Sequence, residues 1–182
     1  MLEMETERLI IRRFKAEDWQ DLFEYLSQES VVKYEPYCVF TEDACKKETI
    51  NRSQNPAFWA VCLKESNKLI GNIYFQQQEP RDFLTWEIGY VFNPKYYGNG
   101  YATEGCKQIL IYGFEQQGAH RIIGKCNPLN TASSNLLERL KMRREAHFTK
   151  PAFFKRDSDG NPIWHDAYLY AMVEEEWLGF TK

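Results

Sequence analysis

Apolar residues recur at positions i, i+3, i+4 and i+7 between residues 16 and 26, and so predict a helix with one apolar face. These residues are Trp19, Leu22, Phe23 and Leu26. The preceding run from Leu9 to Ile11 is short and strand-like. A second helix is predicted to begin after Thr41, because its hydroxyl can cap the first free N–H groups and two acidic residues follow it.

After residue 57 the helical period gives way to strand-like runs. Residues 58–63 and 69–75 flank the polar turn from Glu65 to Lys68 and predict a β-hairpin. A third strand is predicted from Phe83 to Phe92. A helix from about Ala102 to Gln117 follows, and Gly118 provides a natural C-terminal stop.

The last third of the chain alternates again between short elements. Residues 122–126 predict a strand, 131–140 a helix, and 146–154 and 163–174 two strands around a turn-forming polar segment. The predicted order is β-α-α-β-β-β-α-β-α-β-β, with no repeat or linker. This order favours one α/β (α+β) domain over residues 1–182, with a mixed sheet of about six to seven strands and helices on both faces.

Composition and charge narrow the classes of function. Of the 182 residues, 43% are hydrophobic and 27% are charged, as in a globular domain. The net charge of -3 disfavours nucleic-acid binding, which depends on clustered positive charge. One basic group, interpreted as the end of a helix, contains Arg139, Lys141, Arg143 and Arg144.

Membranes and metals are also disfavoured. No apolar run approaches the roughly 20 residues of a membrane span, and the opening MLEMETERL does not resemble a signal peptide. No C-x-x-C pair occurs, and no histidine lies at metal-ligand spacing from a cysteine. We therefore expect a cytoplasmic protein without a metal, whose cysteines are reduced and mostly buried. These are Cys38, Cys45, Cys62, Cys106 and Cys126.

The most informative segment runs from Trp86 to Gly105 and combines a strand, a turn with two glycines and the start of a helix. Gly98 and Gly100 can adopt positive φ and let an anion approach the main chain. Successive N–H groups that lead into a helix N-terminus form a pyrophosphate cradle. A Walker A loop is absent, and a Rossmann fingerprint would need glycine or alanine where Thr103 stands. Taken alone, the turn is also consistent with an ordinary strand-to-helix connection.

In its context the segment resembles the acetyl-CoA-binding motif of the GNAT superfamily, in the form found in the ribosomal-protein-alanine N-acetyltransferase subfamily. The matching stretches are Glu87-Ile88-Gly89-Tyr90, Pro94 and Gly98-Asn99-Gly100-Tyr101-Ala102-Thr103-Glu104. Further similar stretches are Thr6-Glu7-Arg8-Leu9, the segments 127–133 and 137–140, Trp164-His165-Asp166 and Glu176-Trp177. The departures are Tyr97, where Gln or Arg is frequent, and Lys141-Met142, where Gly-Phe is common.

The resemblance implies transfer of an acetyl group from acetyl-CoA to a primary amine. The acceptor that it favours is a protein N-terminal α-amine; the alternative is a small-molecule amine of the antibiotic, polyamine or amino-acid type. It implies a GNAT-like, largely antiparallel sheet that is splayed in the middle around the pantetheine arm, in a monomer or homodimer. The implied cofactor contacts are Tyr90, Val91 and Phe92 for the arm, Gly98, Asn99, Gly100, Tyr101, Ala102 and Thr103 for the pyrophosphate, and Asn130 and Ser133 on the far side.

Two side chains are candidates for catalysis. Glu87 is the candidate base, acting through a water, because an α-amine with a pKa of about 7.7–8.0 attacks only when unprotonated. The alternative is a strand glutamate that points to solvent or pairs with a basic residue. Ser133 stands where the subfamily carries a serine suggested to protonate the leaving thiolate, whereas the tyrosine of the wider superfamily is Leu137 here. The alternative is a serine that caps a helix.

Several interpretations remain open at this point. Tyr168 and Tyr170 are fallback proton donors, although alternate tyrosines in a strand usually pack. We interpret Glu174 to Glu176 as a solvated strand end, and expect the segment between Ser27 and Asn55 to wall the acceptor site. A non-catalytic acyl-CoA-binding module and an α/β subunit without a ligand are the competing functions. The presence of both Glu87 and Ser133 favours the enzyme.

Overall fold

The computed structural model describes residues 3–181, and residues 1, 2 and 182 of the predicted domain lie outside the described residues. The strands are β1 (Met4–Glu5), β2 (Leu9–Arg12), β3 (Phe58–Leu63), β4 (Leu69–Gln77), β5 (Thr85–Phe92), β6 (Arg121–Cys126), β7 (Arg143–Arg156) and β8 (Pro162–Val173). The helices are α1 (Trp19–Leu26), α2 (Glu29–Val32), α3 (Glu42–Gln54), α4 (Tyr101–Ile111), α5 (Thr131–Arg139) and α6 (Glu174–Thr181).

Within residues 3–181 the strands form one eight-stranded sheet in the order β1-β2-β3-β4-β5-β6-β8-β7. Every neighbouring pair is antiparallel except β5 and β6. The predicted mixed, largely antiparallel sheet is thus confirmed. It has one strand more than expected, because the two-residue β1 is too short to show an alternating pattern.

The parallel strands β5 and β6 separate along their length. They pair from Thr85 opposite Arg121 to Ile88 opposite Gly124, and no further. Beyond Ile88, β5 continues to Phe92 with β4 as its only partner. The sheet therefore opens between the C-terminal halves of these two strands, as the resemblance implies.

Helices cover both faces of the sheet, as predicted. On one face, α4 and α5 bury Ile109 and Leu136 in a cluster that includes Ile88 of β5. On the other face, α1 and α3 form a second cluster, in which Leu22 lies with Val91. Since successive side chains of a strand point to opposite faces, β5 presents Glu87 and Val91 to the α1–α3 face.

Two predicted boundaries shift because the backbone changes conformation there. The strand predicted from Phe83 begins at Thr85, after a 3₁₀ turn at Arg81–Phe83 and a left-handed Leu84 with φ of 50°. The helix predicted over 102–117 is α4, continued by one wider π turn. Gly118 follows with φ of 63°, which confirms it as the stop.

The predicted strand end at Glu174 to Glu176 is wrong, because these residues form the first turn of α6. Three carboxylates suit the partly positive N-terminus of a helix. Trp177, which resembles part of the subfamily's closing strand pair, also lies in α6. Of the basic group, Arg139 ends α5 as interpreted, whereas Arg143 begins β7.

The departure at Lys141-Met142 places a lysine in a strained backbone conformation and a methionine in the core. Lys141 adopts φ of 65°, a left-handed conformation that favours the glycine found there in the family. Met142 is buried in the cluster beneath α4 and α5, where it takes the place of the family's phenylalanine.

The cysteines are unpaired, and four of them are buried, as predicted; Cys38 is exposed. Between residues 3 and 181, no helix is both long and apolar enough to cross a membrane. Over the same residues, no group of three or more His, Cys, Asp or Glu side chains could hold a metal ion.

Candidate active site

The gap between β5 and β6 lies in a cleft of about 1610 Å³. The cleft is lined by β5, the turn before α4, the start of α5, the segment from Val31 to Tyr37 and the β7–β8 hairpin. The structure thereby brings together eleven of the predicted site residues. They are Glu87, Tyr90, Val91, Phe92, Gly98, Gly100, Tyr101, Ala102, Thr103, Asn130 and Ser133.

Asn99 is the predicted site residue that does not line the cleft. Its side-chain amide donates hydrogen bonds to the carbonyls of Tyr96 and Tyr97, each at 3.2 Å. The side chain therefore holds the turn in shape, and a contact of Asn99 with the cofactor stays a prediction.

The turn before α4 presents free backbone donors. Gly98 and Gly100 have φ of 80° and 81°, and Gly100 is the N-cap of α4 without a side-chain cap. The first bond of the helix runs from the Glu104 N–H to the Gly100 carbonyl at 3.0 Å. The N–H groups from Tyr101 to Thr103 therefore have no acceptor within the helix. Such a helix N-terminus binds anions.

The N-terminal residues brace this turn through Glu104. Its Oε1 accepts from the Thr6 hydroxyl at 2.6 Å and from the Arg8 N–H at 2.9 Å. Arg8 also donates to Oε2 at 2.8 Å, and its Nη1 donates to the Asn99 carbonyl at 3.0 Å. Although partial burial opposes it, these bonds lower the pKa of Glu104 below its ordinary value. The two family-like stretches that are distant in sequence thus form one contact.

Two cations beside the turn could not be assigned from the sequence. Arg139 at the end of α5 donates to the Thr103 hydroxyl at 3.3 Å and lines the cleft. Lys107 lines it one helical turn after Thr103. The i, i+4 spacing from Thr103 is the signal that could have identified Lys107.

Glu87 lies in the cleft and also forms the pair with a basic residue that was its alternative interpretation, so its role as a base stays a prediction. It lines the cleft, and its Oε2 accepts a hydrogen bond from Lys125 of β6 at 3.0 Å. The side chains are 21% and 49% exposed, and such a pair contributes at most about 1 kcal/mol. Burial first, and then the nearby Glu87 charge, raise the pKa of Tyr74. The carboxylate is therefore weakly held, with a tyrosine beside it.

Ser133 lies in the first turn of α5, but it does not cap the helix. Asn130 is the cap, and its side-chain oxygen accepts from the Ser133 N–H at 3.2 Å. The Ser133 hydroxyl is instead 3.0 Å from the Tyr90 hydroxyl, which also donates to the Ser133 carbonyl at 3.1 Å. Burial raises the pKa of Tyr90, so the phenol keeps its proton. Sequence reasoning assigned only the backbone of Tyr90 and missed this hydroxyl pair.

The fallback donors do not reach the cleft. Neither Tyr168 nor Tyr170 lines it, and the buried Tyr170 donates to Glu138 of α5 at 2.9 Å. His165 does line the cleft, beside Asn127 at 3.3 Å.

The opposite wall comes from the segment after α2, within the range expected from the sequence. Glu35 lines the cleft there, and burial raises its pKa to about 7, although Tyr37, Arg52 and Lys155 oppose the shift. Arg52 of α3 is only 2% exposed, and its Nε donates to Glu48 at 2.7 Å. No pattern in the sequence singled out Glu35.

Comparisons with known proteins agree with this geometry. Residues 8–143 match the family model described as an acetyltransferase (GNAT) domain. The uncharacterized N-acetyltransferase YnaD of Bacillus subtilis (strain 168) is 41% identical over 177 residues, which cover 97% of this chain and 99% of that protein. The solved structure of a GNAT-family acetyltransferase from Bacillus anthracis has a TM-score of 0.86 at 40% identity, covering 96% and 99% of the two chains.

A more distant structure has the same fold. The ribosomal-protein-S5-alanine acetyltransferase from Vibrio fischeri has a TM-score of 0.78 at 22% identity, covering 97% of this chain and 99% of that chain. Proteins of the matched family are acyltransferases that use acetyl-CoA. The chain, with its splayed sheet and the uncapped start of α4, belongs to the GNAT family of N-acetyltransferases.

Proposed function

We propose that the protein acetylates the α-amine of a polypeptide N-terminus. The observation that carries the proposal is one cleft that joins an uncapped helix N-terminus, a gap between parallel strands and the Glu87 carboxylate. Acetyl-CoA supplies an acetyl group that is already activated as a thioester. The remaining tasks are to bind the donor, to take a proton from the amine and to return one to the thiolate.

The residues around the turn fit the donor. Its pyrophosphate suits the turn from Gly98 to Thr103, where the N–H groups from Tyr101 to Thr103 have no acceptor within the helix and Arg139 and Lys107 are nearby cations. The arm suits the gap, because β5 has no partner on that side from Gly89 to Phe92. Main-chain donors in this stretch can polarise the thioester carbonyl.

Proton transfer falls to the two candidates from the sequence. Glu87 accepts the amine proton, directly or through a water, since only one of its oxygens is engaged by Lys125. Ser133 returns a proton to the sulfur, and the Tyr90 hydroxyl, which keeps its own proton, orients the Ser133 hydroxyl through their 3.0 Å contact. A free thiol has a pKa of about 8.5, so the thiolate needs only modest help to leave.

The outer part of the cleft supports a polypeptide acceptor. Phe148 and Phe154 of the β7–β8 hairpin line the cleft and are 43% and 48% exposed. An apolar rim that opens to solvent lets a chain continue outward from its bound first residue. The name of the Vibrio fischeri protein refers to a ribosomal-protein alanine, but its likeness concerns the fold alone. A small amine is the alternative acceptor.

A screen with acetyl-CoA and release of free thiol as the readout tests the proposal. Three kinds of acceptor are compared. The first are short peptides with free N-termini, the second are the same peptides with a blocked N-terminus and an unmodified lysine side chain, and the third are small amines. We expect turnover only with free N-termini. Turnover with small amines alone would replace the proposed acceptor, whereas CoA binding without any transfer would identify a non-catalytic module. A cytoplasmic location and a monomeric or dimeric state stay predictions.

A further inference from the structure

Four carboxylates among residues 3–181 line the cleft, and two of them, Glu104 and Asp166, are held by Arg8 and His147 respectively. Glu87 lies on β5, with Lys125 at 3.0 Å and Tyr74 beside it. Glu35 lies on the opposite wall. Burial raises the pKa of Tyr97, and the nearby charge of Glu35 raises it further. The proposed function uses Glu87 and leaves Glu35 without a task.

Glu35 has positive neighbours but no ion pair. Among residues 3–181, no Lys, Arg or His nitrogen lies within 4.0 Å of its carboxylate. Arg52 of α3 directs its Nε to Glu48, and Lys155 of β7 donates to the carbonyl of Val32 at 3.0 Å. Neither cation therefore pairs with Glu35, although the buried Nη1 of Arg52 has no hydrogen-bond partner among the described residues.

The titratable groups that interact with Glu35 lie on four parts of the chain. Tyr37 lies on its own segment, Arg52 on α3, Lys155 on β7 and Tyr97 on the turn before α4. Burial outweighs their effect and holds the pKa of Glu35 at about 7. A carboxylate in this state becomes fully charged when a cation binds beside it.

Aromatic side chains share this part of the cleft. Tyr34, Tyr37 and Tyr97 line it together with Glu35, and the Glu35 charge raises the pKa of both Tyr37 and Tyr97 after burial. The faces of aromatic rings attract cations, most strongly when water is excluded. A carboxylate without an ion pair, set among rings, is suited to an ammonium or guanidinium group.

We infer that Glu35 binds a second positive charge on the acceptor, separate from the amine that is acetylated. The inference rests on the proposed acetyl transfer and names the class of acceptor for the same cleft. On a polypeptide the charge is a lysine or arginine close to the N-terminus. On a small acceptor it is a second amino group.

The test compares matched acceptors on the parent and on Glu35→Gln. One pair of peptides differs only by lysine against glutamine at the second or third residue, and a diamine is paired with the monoamine of equal length. KM and kcat are measured at saturating acetyl-CoA. Glu29→Gln is the control, because Glu29 is an exposed residue of α2 outside the cleft and loses the same charge.

For the parent and Glu29→Gln, we expect a KM roughly tenfold or more lower for the charged member of a pair. Glu35→Gln removes this preference without changing kcat or the KM of the uncharged member. In the parent, the ratio of the two KM values also shrinks between about pH 8 and about pH 6, because Glu35 takes up a proton. The pair that shows the effect identifies the source of the charge.

Several results separate the inference from the proposed function. Equal KM values within each pair on the parent, or a preference that survives in Glu35→Gln, would overturn the inference while acetyl transfer stands. An equal loss for charged and uncharged acceptors would also overturn it, since Glu35 would then be structural. Absence of transfer to every acceptor, with CoA still bound, would remove the proposed function itself.

Discussion

Replacement of Gly100 by valine should have two effects, a strained backbone and a block to cofactor binding, and a matched control can separate them. Gly100 has φ of 81°, and a Cβ added there would lie 3.5 Å from Arg8. A β-branched residue in this conformation costs about 1–3 kcal/mol. The same side chain would also stand in front of the free N–H groups at the start of α4, where the pyrophosphate is expected.

Gly160 offers a matched control. It has φ of 83°, a Cβ there would meet nothing within 4 Å, and it lies in the turn between β7 and β8 outside the cleft. Gly160→Val should therefore suffer the same backbone strain as Gly100→Val. For a chain of this size, each kcal/mol lowers the melting temperature by roughly 2–4 °C.

Thermal melts with and without CoA, together with calorimetric titration, give the two readouts. At about 100 times its Kd, CoA stabilises the parent by about 2.7 kcal/mol, and Gly160→Val should keep this gain. Gly100→Val should lose it, since each charge-assisted hydrogen bond that is removed contributes roughly 1.5–3 kcal/mol. A folded Gly100→Val variant that binds CoA within about twofold of the parent would refute the placement of the pyrophosphate.

Four further outcomes are expected. Glu87→Gln should lower kcat roughly tenfold to a hundredfold, most strongly below the pKa of the acceptor amine, with the Kd for CoA unchanged; a parental pH–rate profile would make Glu87 structural. Ser133→Ala and Tyr90→Phe should each slow turnover about tenfold, and the double variant should be no slower than either, which a double-mutant cycle measures. The pKa of Glu35 is raised from its ordinary value of 4.5. Its contribution to the free energy of unfolding is therefore complete below pH 4.5 and is lost as the pH rises through about 7. In urea titrations, the free energy of unfolding of Glu35→Gln relative to that of the parent should increase by about 1–3 kcal/mol between pH 5 and pH 8. Lys141→Gly should raise the free energy of unfolding by about 0.5–1 kcal/mol, and a lower value would mean that the lysine contributes contacts that outweigh its strain.

The cofactor half of the cleft could be predicted because it lies in one continuous segment. A strand, a turn and a helix start follow one another from β5 to α4, and the groups proposed to bind the cofactor belong to the main chain. Two glycines in one turn permit positive φ there, and both Gly98 and Gly100 adopt it. The brace at Glu104 could not be read in this way, because its partners Thr6 and Arg8 are far away in sequence.

Errors in the predicted elements have local physical causes. The strand β1 has only two residues, so its sequence shows no alternating pattern. It forms because it pairs with β2. The helix α6 begins with three glutamates, which suit a helix N-terminus but also a solvated strand end. In both places the neighbouring structure, and not the local sequence, decides.

The hydroxyl of Tyr90 shows what a motif match leaves out. The match placed Tyr90 among backbone donors, because its position on β5 follows the family pattern. Its side chain meets Ser133 only after α5 has packed on the face of the sheet to which Tyr90 of β5 points. The contact is therefore a property of the fold, and the mutation of one hydroxyl must be interpreted together with the other.

The acceptor half differs in principle from the cofactor half. Its wall is assembled from the segment after α2, from α3, from β4 and from the β7–β8 hairpin, so no continuous motif can encode it. Glu87 was noticed because it lies beside the cofactor motif, whereas Glu35 follows a four-residue helix and resembles any surface glutamate. Burial among elements that are distant in sequence raises the pKa of that glutamate to about 7, and it has no ion pair among residues 3–181. The proposed acceptor specificity therefore depends on a part of the cleft that only the folded chain creates.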